Sequence, residues 1–274
     1  MGKIRKSTIY ILLLFILILV TMSINKFLAI ALSLIVICIL LVKYSYLYKI
    51  IRANKLYAAK NYEAALKLYR DNVNRKNIPG FIINNYLIME LKYGDSTIAE
   101  KFANNLSTDN IKAKQSDIHA IEISKALISW KNNKSTEAIS SLKELLNETE
   151  STYLYETLTS LLIVNNKLDD ALTIIDKGLA YTDSSSVLKS NYAEVQYLLG
   201  NSDKSEAIFK ELTEDNVSFI EPYYYLGLIL LDKSAKEEAL SLFERALTLN
   251  DSLVTLVSKE KITNLIASLK EFQK

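Results

Sequence analysis

The sequence is poor in the residues that turn-rich folds and most catalytic or metal sites require. Its 274 residues include one cysteine, one histidine, two prolines and six glycines. A single cysteine excludes an internal disulfide and a zinc site built on several cysteines. A single histidine argues against a histidine-ligated metal centre or a catalytic histidine pair. So few glycines and prolines argue against a hairpin-rich β fold and favour long helices.

Charge and motifs exclude further function classes. There are 33 basic against 31 acidic residues, so the chain lacks the basic excess of a nucleic-acid-binding protein. No phosphate-binding glycine loop, nucleophile elbow or His-Glu-x-x-His motif is present. We therefore expect that the protein is not an enzyme, uses no cofactor or metal, and binds no nucleic acid.

The basic residues are unevenly distributed, and this asymmetry marks a membrane anchor over residues 1–45. This stretch contains five basic residues and no acidic one. Uncharged apolar runs indicate transmembrane spans at about 7–24 and 27–44, since a span needs about 20 mostly apolar residues. Only Asn25 and Lys26 separate the runs, and one helix through both would far exceed the bilayer core. The sequence therefore predicts a hairpin of two spans.

Basic residues flank both ends of this hairpin, which predicts a multi-pass protein of the cell membrane with both termini in the cytoplasm. Tyr44 and Tyr46 fit an aromatic belt at the membrane interface, and Lys49 and Arg52 fit contact with lipid headgroups. A cleaved signal peptide is the alternative. Cleavage would leave the middle of the second apolar run as the new N-terminus.

The remainder of the chain repeats itself. Near its end the spacing is aromatic-x₂-Leu-Gly-x₂-Leu, followed by Ala-x₃-Phe-x₂-Ala, carried by Tyr223, Leu226, Gly227, Leu230, Ala239, Phe243 and Ala246. A small residue recurs at intervals of 34, 34, 33, 39 and 34 residues going back, at Ala239, Ser205, Ala171, Ala138, Ala99 and Ala65. This pattern resembles the tetratricopeptide repeat (TPR), a helix–turn–helix unit of about 34 residues.

The resemblance implies an all-α fold, in which the transmembrane hairpin precedes an α-solenoid of about six TPR-like repeats over residues 46–253. The repeats are expected at about 46–79, 80–113, 119–151, 152–185, 186–219 and 220–253. An amphipathic capping helix is expected over 254–274. The recurring small residues and Gly227 should lie where the two helices of a repeat touch.

TPR arrays are known as protein-interaction scaffolds, in which the first helix of each repeat lines a concave groove that binds a partner peptide or helix. The groove wall implied for this chain consists of Tyr57, Ile88, Trp130, Tyr153, Tyr197, Tyr224 and Leu228. Some members clamp a partner's C-terminal carboxylates with lysine, asparagine and arginine. Asn54 and Asn85 occupy the asparagine places here, but Ile50, Ala120 and Ser124 replace the bases, so such a clamp is not expected.

Two other functions fit the same pattern. The protein could regulate a membrane enzyme or transporter that it contacts through the transmembrane hairpin. Alternatively, the array could lie outside the cytoplasm and serve envelope assembly, although the basic residues after the second span oppose that orientation. There is no glycine or proline from Phe27 to Ile78, which predicts that the second span continues into the first repeat helix.

Overall fold

The computed structural model describes residues 16–107 and 111–271, and these residues are almost entirely helical. The chain divides into two compact units, Met1–Arg75 and Lys76–Lys274. The helical content agrees with the all-α class expected from the scarcity of glycine and proline.

Between residues 16 and 75, the described part of the first unit, there are three helices. Helix α1 covers residues 16–24 of the described part, α2 runs over Lys26–Ala58, and α3 over Tyr62–Val73. Asn25 caps α2, because its side-chain oxygen accepts a hydrogen bond from the Phe27 amide at 3.0 Å. At 33 residues, α2 is continuous from the second apolar run into the first repeat helix, as the lack of glycine and proline predicted. A helix of that length spans about 50 Å.

Helix α2 is, among the described residues, the single helix long and apolar enough to cross a membrane, judged by length and composition. It contains the predicted second span, 27–44. The predicted first span, 7–24, has its residues 7–15 outside the described residues, and its described part is helical. The two-span hairpin therefore remains a prediction.

The four residues expected at the membrane interface differ in their surroundings. Tyr44, Lys49 and Arg52 are exposed, and the Lys43 Nζ lies 5.7 Å from the centre of the Tyr44 ring. Tyr46 is half-buried, and the Arg75 guanidinium lies 5.6 Å from its ring centre. Packing within the first unit therefore buries part of the Tyr46 ring.

The second unit is a series of helical hairpins in which each helix contacts the next. Its helices are α4 Gly80–Tyr93, α5 Ser96–Asn104, α6 Gln115–Lys131, α7 Ser135–Glu148, α8 Thr152–Val164, α9 Leu168–Tyr181, α10 Ser186–Leu198, α11 Ser202–Glu214, α12 Glu221–Asp232, α13 Lys236–Leu247 and α14 Lys259–Glu271. First helices also contact each other, α4 with α6, α8 with α10, and α10 with α12. This arrangement resembles a TPR solenoid.

Two element starts differ from the bounds expected from the sequence. Two short strands, β1 Ile78–Pro79 and β2 Ile111–Lys112, pair in parallel and hold the long connection before α6 in place. Helix α6 begins at Gln115, four residues before the start expected for the third repeat. The last helix begins at Lys259 and not near residue 254, because Ser258 caps it. The Ser258 hydroxyl accepts a hydrogen bond from the Lys261 amide at 3.1 Å.

The turns inside the repeats share a residue with positive φ that recurs with the repeat period. Asn133, Asn166, Gly200 and Ser234 all have positive φ, between 54° and 84°, at intervals of 33 or 34 residues. The amide after each bonds to a carbonyl five residues earlier, for example Ala235 N to Leu230 O at 2.8 Å. The first helices α6, α8, α10 and α12 therefore end in the same left-handed turn, which glycine and asparagine tolerate best. Helix α4 ends differently, at Gly94 with a φ of −122°.

The small residues that define the repeat period lie at the centres of the hairpins. All six are completely buried: Ala65, Ala99, Ala138, Ala171, Ser205 and Ala239. The Ser205 hydroxyl donates a hydrogen bond to the Ala193 carbonyl of the paired helix. A Cβ atom at Gly227 would lie only 2.5 Å from Phe243 Cε1, so α12 and α13 approach too closely for a larger residue there.

Candidate functional site

The first helices of the last three repeats, α8, α10 and α12, lie side by side and form a surface that we call the first-helix face. The segment of residues 248–258, between α13 and α14, joins this surface. Phe219, just before α12, forms a parallel bridge with Asn250, which holds the segment in place. Between the three helices and this segment lies a pocket of about 110 Å³.

We call this the acidic pocket, because its walls include Glu194 of α10 and Glu221 of α12. Other polar side chains on the walls are Ser160, Ser190, Asn191, Ser252 and Thr255. Ser160 and Glu194 lie 34 residues apart, as do Val187 and Glu221. Because one repeat is about 34 residues long, the pocket is built from equivalent positions on successive first helices.

Some of the polar groups in the pocket are paired within the protein. The Tyr225 hydroxyl donates a hydrogen bond of 2.7 Å to Glu194 Oε1. The Asn191 side-chain amide donates to the hydroxyl oxygens of Thr159, at 2.7 Å, and Ser160, at 3.2 Å. These bonds hold Glu194 and Asn191 in fixed positions on the pocket wall.

Two buried polar atoms in the same pocket have no hydrogen-bond partner among the described residues. They are the Ser190 hydroxyl oxygen and Glu221 Oε2, on side chains that are 1% and 6% exposed. A buried polar atom left unpaired costs about 1–3 kcal/mol, and more for a charged group. No other described side chain has such an unpaired buried atom, so this deficit is specific to the acidic pocket.

The electrostatics of the pocket are those of two acids held out of water. Glu194 is 5% exposed, and burial raises the pKa of its carboxyl from 4.5 to about 7, with a smaller contribution from the nearby Glu221 charge. The Tyr225 hydrogen bond and the charge of Lys261 act in the opposite direction. The pKa of Tyr225 is raised by burial and by the adjacent Glu194 carboxylate. The Lys261 ammonium itself lies over the Tyr224 ring, 5.3 Å from its centre.

Buried acids elsewhere in the second unit are paired. Glu90 accepts hydrogen bonds from the Tyr86 hydroxyl at 3.0 Å and from the Asp95 amide at 3.3 Å. Glu206 forms ion pairs with Lys210, at 2.9 Å, and with Lys233. The unpaired Glu221 oxygen therefore distinguishes the acidic pocket from acids with a structural role.

A second pocket, of about 360 Å³, lies between α5, α6 and α7. Its acids all have partners, since Lys134 pairs with Glu100 at 2.6 Å and Lys125 with Glu122 at 2.8 Å. The third glutamate, Glu137, accepts a hydrogen bond of 3.2 Å from the Ser129 hydroxyl. It therefore has less need of an external ligand. The described residues contain no group of three or more histidine, cysteine, aspartate or glutamate side chains arranged to hold a metal ion.

The aromatic and aliphatic residues predicted for the groove wall fall into three classes. Tyr57, in the first unit, and Tyr153, 41% exposed, are accessible. The half-buried members are Ile88, Trp130, Tyr197 and Leu228. Tyr224 departs from the prediction, because it is only 4% exposed and packs against Tyr225 and Phe243. It belongs to the core near α14, where Lys261 lies over its ring.

Sequence reasoning missed Ser190, Glu194 and Glu221 because it searched the first helices for aromatic anchors. The repeat register carried the necessary signal. Ser190 lies 34 residues before Tyr224, and Glu194 lies 34 residues before Leu228, two residues already assigned to the groove wall. Projecting those positions back by one repeat would have placed two of the polar side chains on the same wall.

Comparison with known proteins adds information about the fold. No protein-family model matches the sequence, and no curated protein matches it. Two TPR proteins of known structure, from Parabacteroides merdae and Thermus thermophilus, each align with 82% of this chain and 99% of their own, at a TM-score of 0.48 and 16% and 17% identity.

The APC/C hetero-tetramer Cut9–Hcn1 aligns at a TM-score of 0.56 and 14% identity, covering 81% of this chain and 40% of the matched chain. At such low identity the likeness shows a shared fold and no more. The repeated helical hairpins of the second unit and their register of about 34 residues, together with this likeness, show a TPR-like helical fold.

Proposed function

We propose that this protein is a membrane-anchored scaffold that binds a peptide or helix of another protein along the first-helix face. In this account the array is cytoplasmic, and an N-terminal hairpin of two spans, with α2 as the second, holds it at the cell membrane. The partner would be recruited to the bilayer, and no catalytic step is involved.

The observation that carries the proposal is the acidic pocket on the first-helix face. Two buried polar atoms in its walls lack hydrogen-bond partners in the folded protein, and a bound ligand would supply those partners. Tyr153 and Tyr197 lie on the same three-repeat stretch and retain accessible surface. Tyrosine is one of the residue types enriched in interaction hot spots.

Photocrosslinking in living cells tests this function. A photoreactive amino acid is placed at Tyr153 or Tyr197 in the full-length protein, and Lys143, exposed on α7, serves as the control position. We expect one or a few protein adducts from the two tyrosine positions that are absent from position 143. Identical adducts from all three positions, or none from the tyrosines, would contradict binding on the first-helix face.

A further inference from the structure

We propose that the acidic pocket binds the basic side chain of a lysine or arginine presented by the partner. This inference rests on the proposed function, because it names what the first-helix face recognises. A basic segment of a partner would place one ammonium or guanidinium group between Glu194 and Glu221.

The hydrogen-bonding needs of the pocket point to a donor. Glu221 Oε2 is a carboxylate oxygen, which can only accept, and it has no partner among the described residues. The unpaired Ser190 hydroxyl can also accept. An ammonium group carries three donors and a guanidinium five, with no acceptor on either. A single basic group would therefore satisfy the atoms that folding leaves unpaired.

The charge of the pocket points to a cation. Glu194 and Glu221 are both more than nine-tenths buried, and the Glu221 charge contributes to raising the pKa of Glu194. Lys261, whose charge lowers the pKa of Glu194, lies over the Tyr224 ring. A buried charge without a partner is costly, and an opposite charge in contact relieves that cost. An acidic ligand, such as a C-terminal carboxylate, would add to the repulsion.

The shape of the pocket favours a side chain over a hydrated inorganic ion. Ile163, Val164, Val187 and Val254 contribute apolar surface to the walls beside the polar groups. Lysine and arginine carry an aliphatic stem that packs on apolar surface while the charged end reaches polar partners. The volume of about 110 Å³ is well above the roughly 10–15 Å³ that one water molecule needs.

A randomised peptide library tests the assignment. Twelve-residue peptides are selected on the full-length protein in detergent micelles, on the double variant Glu194→Gln with Glu221→Gln, and on the control Glu144→Gln, whose glutamate is exposed in the middle of α7. The glutamine variants keep the size of each side chain and remove its charge. Circular dichroism confirms that each variant remains folded.

We expect peptides selected on the wild type and on Glu144→Gln to share lysine or arginine at one fixed position, and this preference to be at least about fivefold weaker on the double variant. Lysine at that position identifies an ammonium ligand and arginine a guanidinium ligand. Selected peptides without a basic position would overturn the inference while leaving the scaffold function in place. No selection on any of the proteins would count against peptide binding itself, and so against the proposed function.

Discussion

Replacing Glu194 by glutamine should stabilise the folded protein at alkaline pH and change its stability little at acidic pH. The carboxyl is buried, and its pKa in the folded protein is about 7, against an ordinary value of 4.5. The folded state therefore holds a proton that the unfolded chain has released over that range. As the pH rises from 4.5 to 7 the wild type loses stability, and above 7 the loss is complete.

The magnitude follows from the shift in pKa. A difference of one pKa unit corresponds to about 1.4 kcal/mol, so burial of the ionised carboxyl costs about 3 kcal/mol at pH 8. At pH 5 the folded protein keeps the proton and the cost falls to about 1 kcal/mol. Glutamine carries no charge and still offers an oxygen to the Tyr225 hydroxyl, which donates to Glu194 in the wild type. The gain in unfolding free energy should thus be about 2 kcal/mol larger at pH 8.

Urea unfolding followed by circular dichroism at pH 5 and pH 8 measures this difference on the full-length protein. Glu144→Gln is the matched control, since Glu144 is exposed and its substitution should change stability by less than about 0.5 kcal/mol at either pH. An equal effect of Glu194→Gln at both pH values would refute the reasoning, because it would mean that the buried carboxyl is not protonated near pH 7.

Three further predictions concern packing, turns and the membrane. Gly227→Ala places a Cβ atom 2.5 Å from Phe243 Cε1 and should lower the unfolding free energy by about 1–3 kcal/mol, measured by urea unfolding; an unchanged value would contradict the close helix approach. Ser234→Gly removes the strain of a non-glycine residue at a φ of 65°, so it should raise the melting temperature, with a gain of up to about 1 kcal/mol in the free energy of unfolding. A lower melting temperature would contradict strain at this position. Cys38, the sole cysteine, should react with a water-soluble maleimide only after detergent dissolves the membrane. As a control, Lys143→Cys in a Cys38→Ser background should react without detergent, once the reagent is given access to both sides of the membrane. Labelling of Cys38 in intact membranes would contradict a buried span.

The repeat architecture could be predicted because it depends on residues with one packing role. Ala138, Ala171 and Ala239 are completely buried, each in the second helix of its hairpin. A small residue that recurs at a fixed interval can be detected in one sequence without any alignment. The continuous helix α2 could be predicted for another reason, the absence of glycine and proline from Phe27 to Ile78.

The acidic pocket could not be predicted in the same way, because its walls come from three repeats and from residues 248–258. Glu194 and Glu221 are ordinary surface residues by type, and the sequence alone does not indicate that both become buried. Their burial depends on the path of the segment after α13, which the bridge between Phe219 and Asn250 fixes. The sequence assigned Tyr224 to the groove wall because a repeat pattern does not show the packing of this side chain against Tyr225 and Phe243.

The central claim is that the acidic pocket recognises a basic side chain, and one set of titrations tests it directly. A fluorescent peptide from the selection is compared with a copy in which norleucine replaces its shared lysine, or citrulline its arginine, using anisotropy with the wild type and with the Glu194→Gln, Glu221→Gln variant. We expect the neutral residue to weaken binding to the wild type by about tenfold and to change binding to the double variant by less than about twofold. The same loss on both proteins would contradict the account, because the basic group would then bind elsewhere.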